Sequence, residues 1–192
     1  MTRLLWVRHG PTHQTAFTGW RDVPADLSDT ARLARLDAAL PRDALVVSSD
    51  LLRASATADA IGGDRQRLLD RADLREMHFG DWDGVTFDVV AARDPELSRL
   101  FWEDPGPHSA PNGESWDAAS ARAERAVGDL LAAHPGRDLI LIAHMGIIMT
   151  QLARAWGGDP QRAMSHRIEP LSLTEIRVTG TCREVLRINH QP

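Results

Sequence analysis

The chain has 192 residues and a formal net charge of −5, and all 22 of its basic residues are arginine. Its length fits one domain, able to bury roughly 70% of the surface its unfolded form would expose. The acidic balance and the lack of a basic run argue against nucleic acid or an anionic membrane as the main partner, and without lysine there is no P-loop lysine, Schiff-base lysine or lysine general base.

The first predicted element is a buried strand. Leu4-Leu5-Trp6-Val7 is apolar without alternation, as in a parallel strand covered on both faces, and it runs straight into Arg8-His9-Gly10. In open α/β sheets ligands bind beyond the carboxyl ends of such strands, which is where Arg8 and His9 stand. The polar loop over residues 11–20 should wrap a pocket. A helix is expected from about Ser28, with Ser28 as N-cap and Leu33, Leu36 and Leu40 at helical spacing until Pro41. Residues 44–48 read as a second buried strand. Ser49-Asp50 then open a helix to about Ile61, closed by Gly62-Gly63. Arg53 falls in its first turn, where unpaired N–H groups and the positive dipole end favour an anion.

Leu68-Leu69 is a candidate short edge strand, and an irregular stretch then reaches Gly113. Residues 85–112 read as an insertion with one or two short helices that caps the pocket as a lid. Trp82, Trp102 and Trp116 are read as local packing rather than ligand contacts. Ser115 fits as N-cap of a helix over 116–133 that ends at His134-Pro135-Gly136. Residues 139–143 repeat the opening design, an apolar strand followed by His144-Met145-Gly146 and a helix over 146–155. Gly157-Gly158-Asp159-Pro160 turns into a short helix. Residues 173–178 and 185–188 alternate apolar with polar around Thr179-Gly180-Thr181, as in a hairpin at a sheet edge. The expectation is a single domain over 1–192, a three-layer α/β/α sandwich whose central sheet is mostly parallel with an antiparallel edge. If the strands ending at His9 and His144 are neighbours, the two imidazoles face one another across a pocket.

The lone cysteine, Cys182, cannot form an internal disulfide and reads as a buried or strand residue. No run approaches the roughly 20 apolar residues of a membrane span, and the chain enters its first strand without a charged leader or cleavage site, so a reducing cytoplasm is the expected compartment. Eight histidines and many aspartates raise the question of a metal. No His-Glu-x-x-His pair, cysteine cluster or aspartate-rich loop occurs, and neither a metal nor another cofactor is expected. His13, His78, His108, His134, His166 and His190 have no positional argument and read as solvent-facing or packing side chains.

Four further groups of residues follow Arg8-His9-Gly10 and Arg53: Leu74-Arg75-Glu76, Phe79-Gly80-Asp81-Trp82-Asp83-Gly84, Gly113-Glu114-Ser115 and His144-Met145-Gly146. In this order the set resembles the histidine phosphatase superfamily, the phosphoglycerate mutase-like enzymes, over residues 4 to about 150. The resemblance implies a phosphomonoester hydrolase that works through a covalent phosphohistidine. Phosphoryl transfer needs a nucleophile, positive charge on the nonbridging oxygens and a proton for the leaving oxygen. By the resemblance His9 is the nucleophile, Arg8, Arg53 and His144 surround the transferring group, and Glu76 is the general acid, with Asp73, Asp81 and Asp83 as competing carboxylates.

Thr15, Thr18, Gly19 and Met145 are the candidate substrate-binding positions. Thr15 stands where the family often has asparagine, Pro11 where it often has glutamate, and Ala143 and Met145 replace commoner Ser/Thr and Gly beside His144. The expected partner is a small phosphorylated metabolite, and a homodimer is an open alternative to a monomer. The chain resembles the compact α-ribazole phosphatase branch, which makes α-ribazole 5′-phosphate a candidate substrate. The rival readings are a phosphoglycerate mutase, whose cofactor-dependent forms are usually longer, and a catalytically silent phosphate-binding module. A phosphatase acting on a protein phosphohistidine ranks third among the enzymes. A silent module should lack its nucleophile or acid, and here His9 and Glu76 are both present.

Overall fold

In the computed structural model, which describes residues 1–192, five strands form one sheet in the order β2-β3-β1-β4-β5. The strands are β1 (Thr2–Arg8), β2 (Leu45–Ser48), β3 (Leu139–Ala143), β4 (Leu173–Thr179) and β5 (Cys182–His190). β3 lies between β1 and β2 and runs parallel to both, with Arg8 opposite Ala143 and Ser48 opposite Ile142. His9 and His144 therefore leave the sheet side by side. β4 pairs antiparallel with β1 and β5 antiparallel with β4, the two joined through Gly180 at φ 61°. A positive φ at that turn is what glycine tolerates without strain.

The helices are α1 (Thr30–Ala39), α2 (Leu52–Gly62), α3 (Phe87–Arg93), α4 (Pro95–Glu103), α5 (Trp116–Ala133), α6 (Met145–Ala155) and α7 (Pro160–Met164). Successive strand residues point to opposite faces. Leu5, Val7 and Ile140 meet Leu33 and Leu36 of α1 and Ala58 and Ile61 of α2 in one core, while Leu4, Trp6 and Leu141 meet Ala123 and Val127 of α5 and Ile147 and Leu152 of α6 in the other. Both faces of the parallel strands are covered, which is why β1, β2 and β3 read as unbroken apolar runs.

Several local details differ from the sequence reading. The N-cap of α1 is Asp29, whose carboxylate accepts from Arg32 N at 3.0 Å, while the backbone N–H of Ser28 is taken by Asp26. Helix α2 starts at Leu52 rather than beside Ser49, and its cap comes from far along the chain: Asp22 accepts from Leu52 N at 2.8 Å. Helix α6 begins one residue early, with His144 at its N-cap. Leu68-Leu69 forms no strand; only single parallel bridges at Arg67 and Arg71 flank it. Cys182 is a strand residue, one of the two places expected for it, but it opens the edge strand β5 and is exposed rather than buried. Ser115 caps α5 as expected, accepting from Ala118 N at 3.2 Å.

Candidate active site

His9 is the first residue beyond β1, and its backbone N–H donates to Ala143 O at 3.0 Å. Its Nδ1 lies 2.6 Å from Gly10 O. A carbonyl only accepts, so Nδ1 carries the proton of the neutral ring and Nε2 keeps its lone pair. Burial, with Arg53 and Arg8 nearby, pushes the His9 pKa down from 6.5 to about 3. Gly10 holds the turn in place by donating to Thr57 Oγ1 at 2.9 Å, and a Cβ on Gly10 would lie 2.6 Å from Leu27.

His144 faces His9 with ring centroids 5.1 Å apart and planes at 57°. It is fully buried, and neither ring nitrogen has a protein partner. Burial first, then His9 and the two arginines, holds its pKa well below the ordinary value. Arg53, 1% exposed, enters from the first turn of α2 and donates to Gly19 O at 2.7 Å and Arg21 O at 3.1 Å. Arg8 donates to Ile168 O at 2.5 Å. The Nε atoms of both arginines are buried without a partner. Buried polar groups are seldom left unpaired, since each costs about 1–3 kcal/mol or more when charged. Arg8, Arg53 and His9 line one cavity, with His144 fully buried behind His9, and two guanidinium groups beside that imidazole suit a ligand with several anionic oxygens.

Glu76 is buried, with Oε1 accepting from Met77 N at 3.0 Å and Oε2 from Gly146 N at 3.2 Å. Burial raises its pKa; the two N–H donors and the arginines oppose the rise. It is the only carboxylate lining the cavity. The competitors are occupied elsewhere: Asp73 pairs with Arg71, Asp81 holds Asn112, and Asp83 accepts from Gly19 N and Arg21 N. Glu76 is also held from behind, where Trp20 Nε1 and Arg122 Nη2 donate to its carbonyl at 2.8 and 3.2 Å. Arg122 further donates to the carbonyls of Asp73 and Arg75 and pairs with Glu114 at 2.7 Å. The sequence reading passed over Arg122, and its only signal was a place on the helix that follows Glu114.

The cavity beside these groups encloses about 340 Å³. Thr15, Thr18 and Met145 line it, and Met145 Sδ lies 3.8 Å from Arg8 Nη1. Gly19 is not on its wall. The Gly19 carbonyl holds Arg53 instead, and a Cβ there would lie 2.7 Å from Met77 O. Two of the tryptophans read as packing, Trp102 and Trp116, do line the cavity, as does His108. Trp82 remains in the core, with Nε1 bonded to Asp94 at 2.9 Å. Residues 85–112 contribute Phe87, Phe101, Trp102, Pro105 and His108 to the wall. No group of three His, Cys, Asp or Glu side chains is placed to hold a metal, and no helix is long and apolar enough to cross a membrane.

Paired histidines at the carboxyl edge of a covered α/β sheet place this structure in the phosphoglycerate mutase-like class of folds. Residues 4–191 match the family model described as histidine phosphatase superfamily (branch 1), and the chain belongs to that family. It is 36% identical over 169 residues to a glucosyl-3-phosphoglycerate phosphatase of Mycolicibacterium vanbaalenii, covering 81% of this chain and 74% of the relative. It is 29% identical to the adenosylcobalamin/alpha-ribazole phosphatase of Escherichia coli, covering 98% and 91%. The solved structure of Bacillus stearothermophilus YhfR superposes with a TM-score of 0.89 at 27% identity, over 99% of this chain and 98% of that one. The chain spans about half the length, 51%, of three mycobacterial relatives that it matches at 32% identity.

Proposed function

We propose that the chain is a phosphoric monoester hydrolase that works through a phosphohistidine at His9, with no metal or other cofactor. The observation that carries this reading is the His9 imidazole, kept neutral by burial, with Nδ1 on the Gly10 carbonyl so that Nε2 keeps its lone pair, and set among Arg8, Arg53 and His144. Nε2 attacks phosphorus as the ester P–O bond breaks, and the leaving oxygen takes the Glu76 proton. The Glu76 carboxylate then accepts a proton from water as that water attacks the phosphohistidine. The P–N bond breaks, inorganic phosphate forms and Glu76 is again protonated. Arg8, Arg53 and an N–H of His144 stabilise the nonbridging oxygens throughout.

Thr15, Thr18 and Met145 contact the rest of the substrate, and residues 85–112 act as a lid over one domain that spans 1–192. The substrate is a small phosphorylated metabolite. Similarity to the Escherichia coli enzyme supports α-ribazole 5′-phosphate as the first to try. The test is phosphate release from a panel of phosphomonoesters in excess chelator, comparing wild type with His9→Ala. Wild type should turn over in chelator, and the variant should lose on the order of 1,000-fold or more in kcat. Substantial release by His9→Ala would mean that the nucleophile is misassigned. No release by wild type would point to a mutase or a silent module, which added bisphosphoglycerate separates.

A further inference from the structure

The chain has four phenylalanines, and every one lines the catalytic cavity: Phe17, Phe79, Phe87 and Phe101. The same is true of its methionines apart from the initiator: Met77, Met145, Met149 and Met164. Three different segments supply the aromatics. Phe17 stacks on Trp102 at 6.0 Å and 17° and meets Phe79 at 5.0 Å, while Trp102 meets Phe101 at 5.0 Å and Phe87 at 6.5 Å. This is more than the back of a core, because Phe87 is 52% and Met145 38% exposed on the wall. Charged side chains on the same wall are few. Arg8 and Arg53 are the only arginines on the cavity wall, and both belong to the phosphoryl site. Arg21 reaches Gln14 and Thr18 at the rim but lies 3.7 Å from Asp83, which answers its charge. His108 is paired at 3.5 Å with Asp104.

From this lining we infer that the cavity selects phosphomonoesters of uncharged, apolar, aromatic-sized alcohols and disfavours substrates that carry a second anionic group. The inference rests on the phosphomonoesterase reading above for its chemistry, but not for its selectivity. An aromatic ring removes apolar surface from water against Phe17, Phe87 and Trp102. The thioethers of Met145 and Met164 are flexible and polarisable and fit rings of different outline. A carboxylate or second phosphate on the alcohol would be desolvated against the same wall with no cation to receive it, and the Glu76 carboxyl shares the cavity. Phosphoglycerates and bisphosphoglycerate fall in the disfavoured class.

Three esters of primary alkoxides separate leaving-group size and charge from leaving-group chemistry: 2-naphthylmethyl phosphate, propyl phosphate and 3-phosphoglycerate. The expected result is a kcat/KM for the naphthylmethyl ester on the order of tenfold or more above propyl phosphate, with 3-phosphoglycerate no better than propyl phosphate. Phe87→Ser, at a half-exposed position on α3, should lower the naphthylmethyl-to-propyl ratio. A ratio near one, or a preference for 3-phosphoglycerate, overturns the inference. Calorimetric binding of 2-naphthylmethylphosphonate, propylphosphonate and 2-carboxyethylphosphonate runs the same comparison without turnover. Preferential binding of the aromatic phosphonate by a protein that releases no phosphate supports the cavity assignment while overturning the hydrolase reading. Binding without that preference overturns the cavity assignment.

Discussion

Glu76 and Gly146 lie 70 positions apart and meet at the site, where Gly146 N–H holds one carboxylate oxygen. Gly146 has an ordinary φ, so its constraint is space: a Cβ there would lie 2.6 Å from Glu76 Oε1 and 3.2 Å from Met77 Sδ. Gly146→Ala should displace the carboxyl group and lower kcat by about tenfold on alkyl phosphates, where the leaving alkoxide needs its proton most. Glu76→Gln should cost roughly 100- to 10,000-fold on alkyl esters and far less on 4-nitrophenyl phosphate. Equal losses on both would remove Glu76 as the acid. The pH dependence follows from the same two residues. His9 must be neutral, and with its pKa near 3 the nucleophile fails only in strong acid. Glu76 must be protonated, and its raised pKa carries that form above the usual carboxylate range before activity falls as pH rises. In kcat profiles on an alkyl ester, Glu76→Gln should abolish this alkaline decline. The sequence motifs picked out both residues, but the contact between Glu76 and Gly146 was invisible there because it depends on how α6 approaches a loop.

At the scale of elements, the segment that carries Glu76 has little regular structure of its own and borrows order from α5. Arg122 donates to three of its carbonyls and anchors to Glu114, which also accepts from His78 N at 3.0 Å. Arg122→Leu would strand several buried acceptors and one carboxylate, at a cost of about 3–5 kcal/mol in urea unfolding. Arg122→Lys keeps the charge but not the planar fork, and should show a smaller stability loss together with a lower kcat on alkyl esters. If Lys restored both stability and kcat in full, the fork would not be what positions Glu76. The strands, α5 with its Ser115 cap and the β4–β5 hairpin were all legible, because apolar runs, local caps and turn residues speak for neighbours in sequence. The start of α2 and the cavity role of Trp102 were not. Asp22 caps that helix from 30 residues away, and nothing near Trp102 in sequence says which side of α4 faces the site.

Taken whole, the molecule buries two neutral imidazoles at the edge of a sheet, and that arrangement links its stability to pH. In the unfolded chain both histidines take up a proton near pH 6.5. Folded, His9 does so only near 3, and His144 is likewise held well below the ordinary value. Between those limits the unfolded state binds more protons, so stability rises with pH and is lost as pH falls from 6.5 toward 3. Glu76 acts in the opposite sense: its folded pKa is raised, so its contribution is greatest below the ordinary carboxylate pKa and fades as pH rises through the folded value. Two histidines shifted down against one carboxyl shifted up leave a net loss on acidification, on the order of several kcal/mol. The urea midpoint should therefore climb from pH 4 to about 6.5 and level off above it. His144→Asn will have its own cost from lost packing, but that cost is independent of pH, so the readout is the slope. The variant's midpoint should climb distinctly less than that of wild type over the same range. An unchanged slope would mean that His144 takes up its proton as readily folded as unfolded, and burial would not then be what keeps it neutral opposite His9.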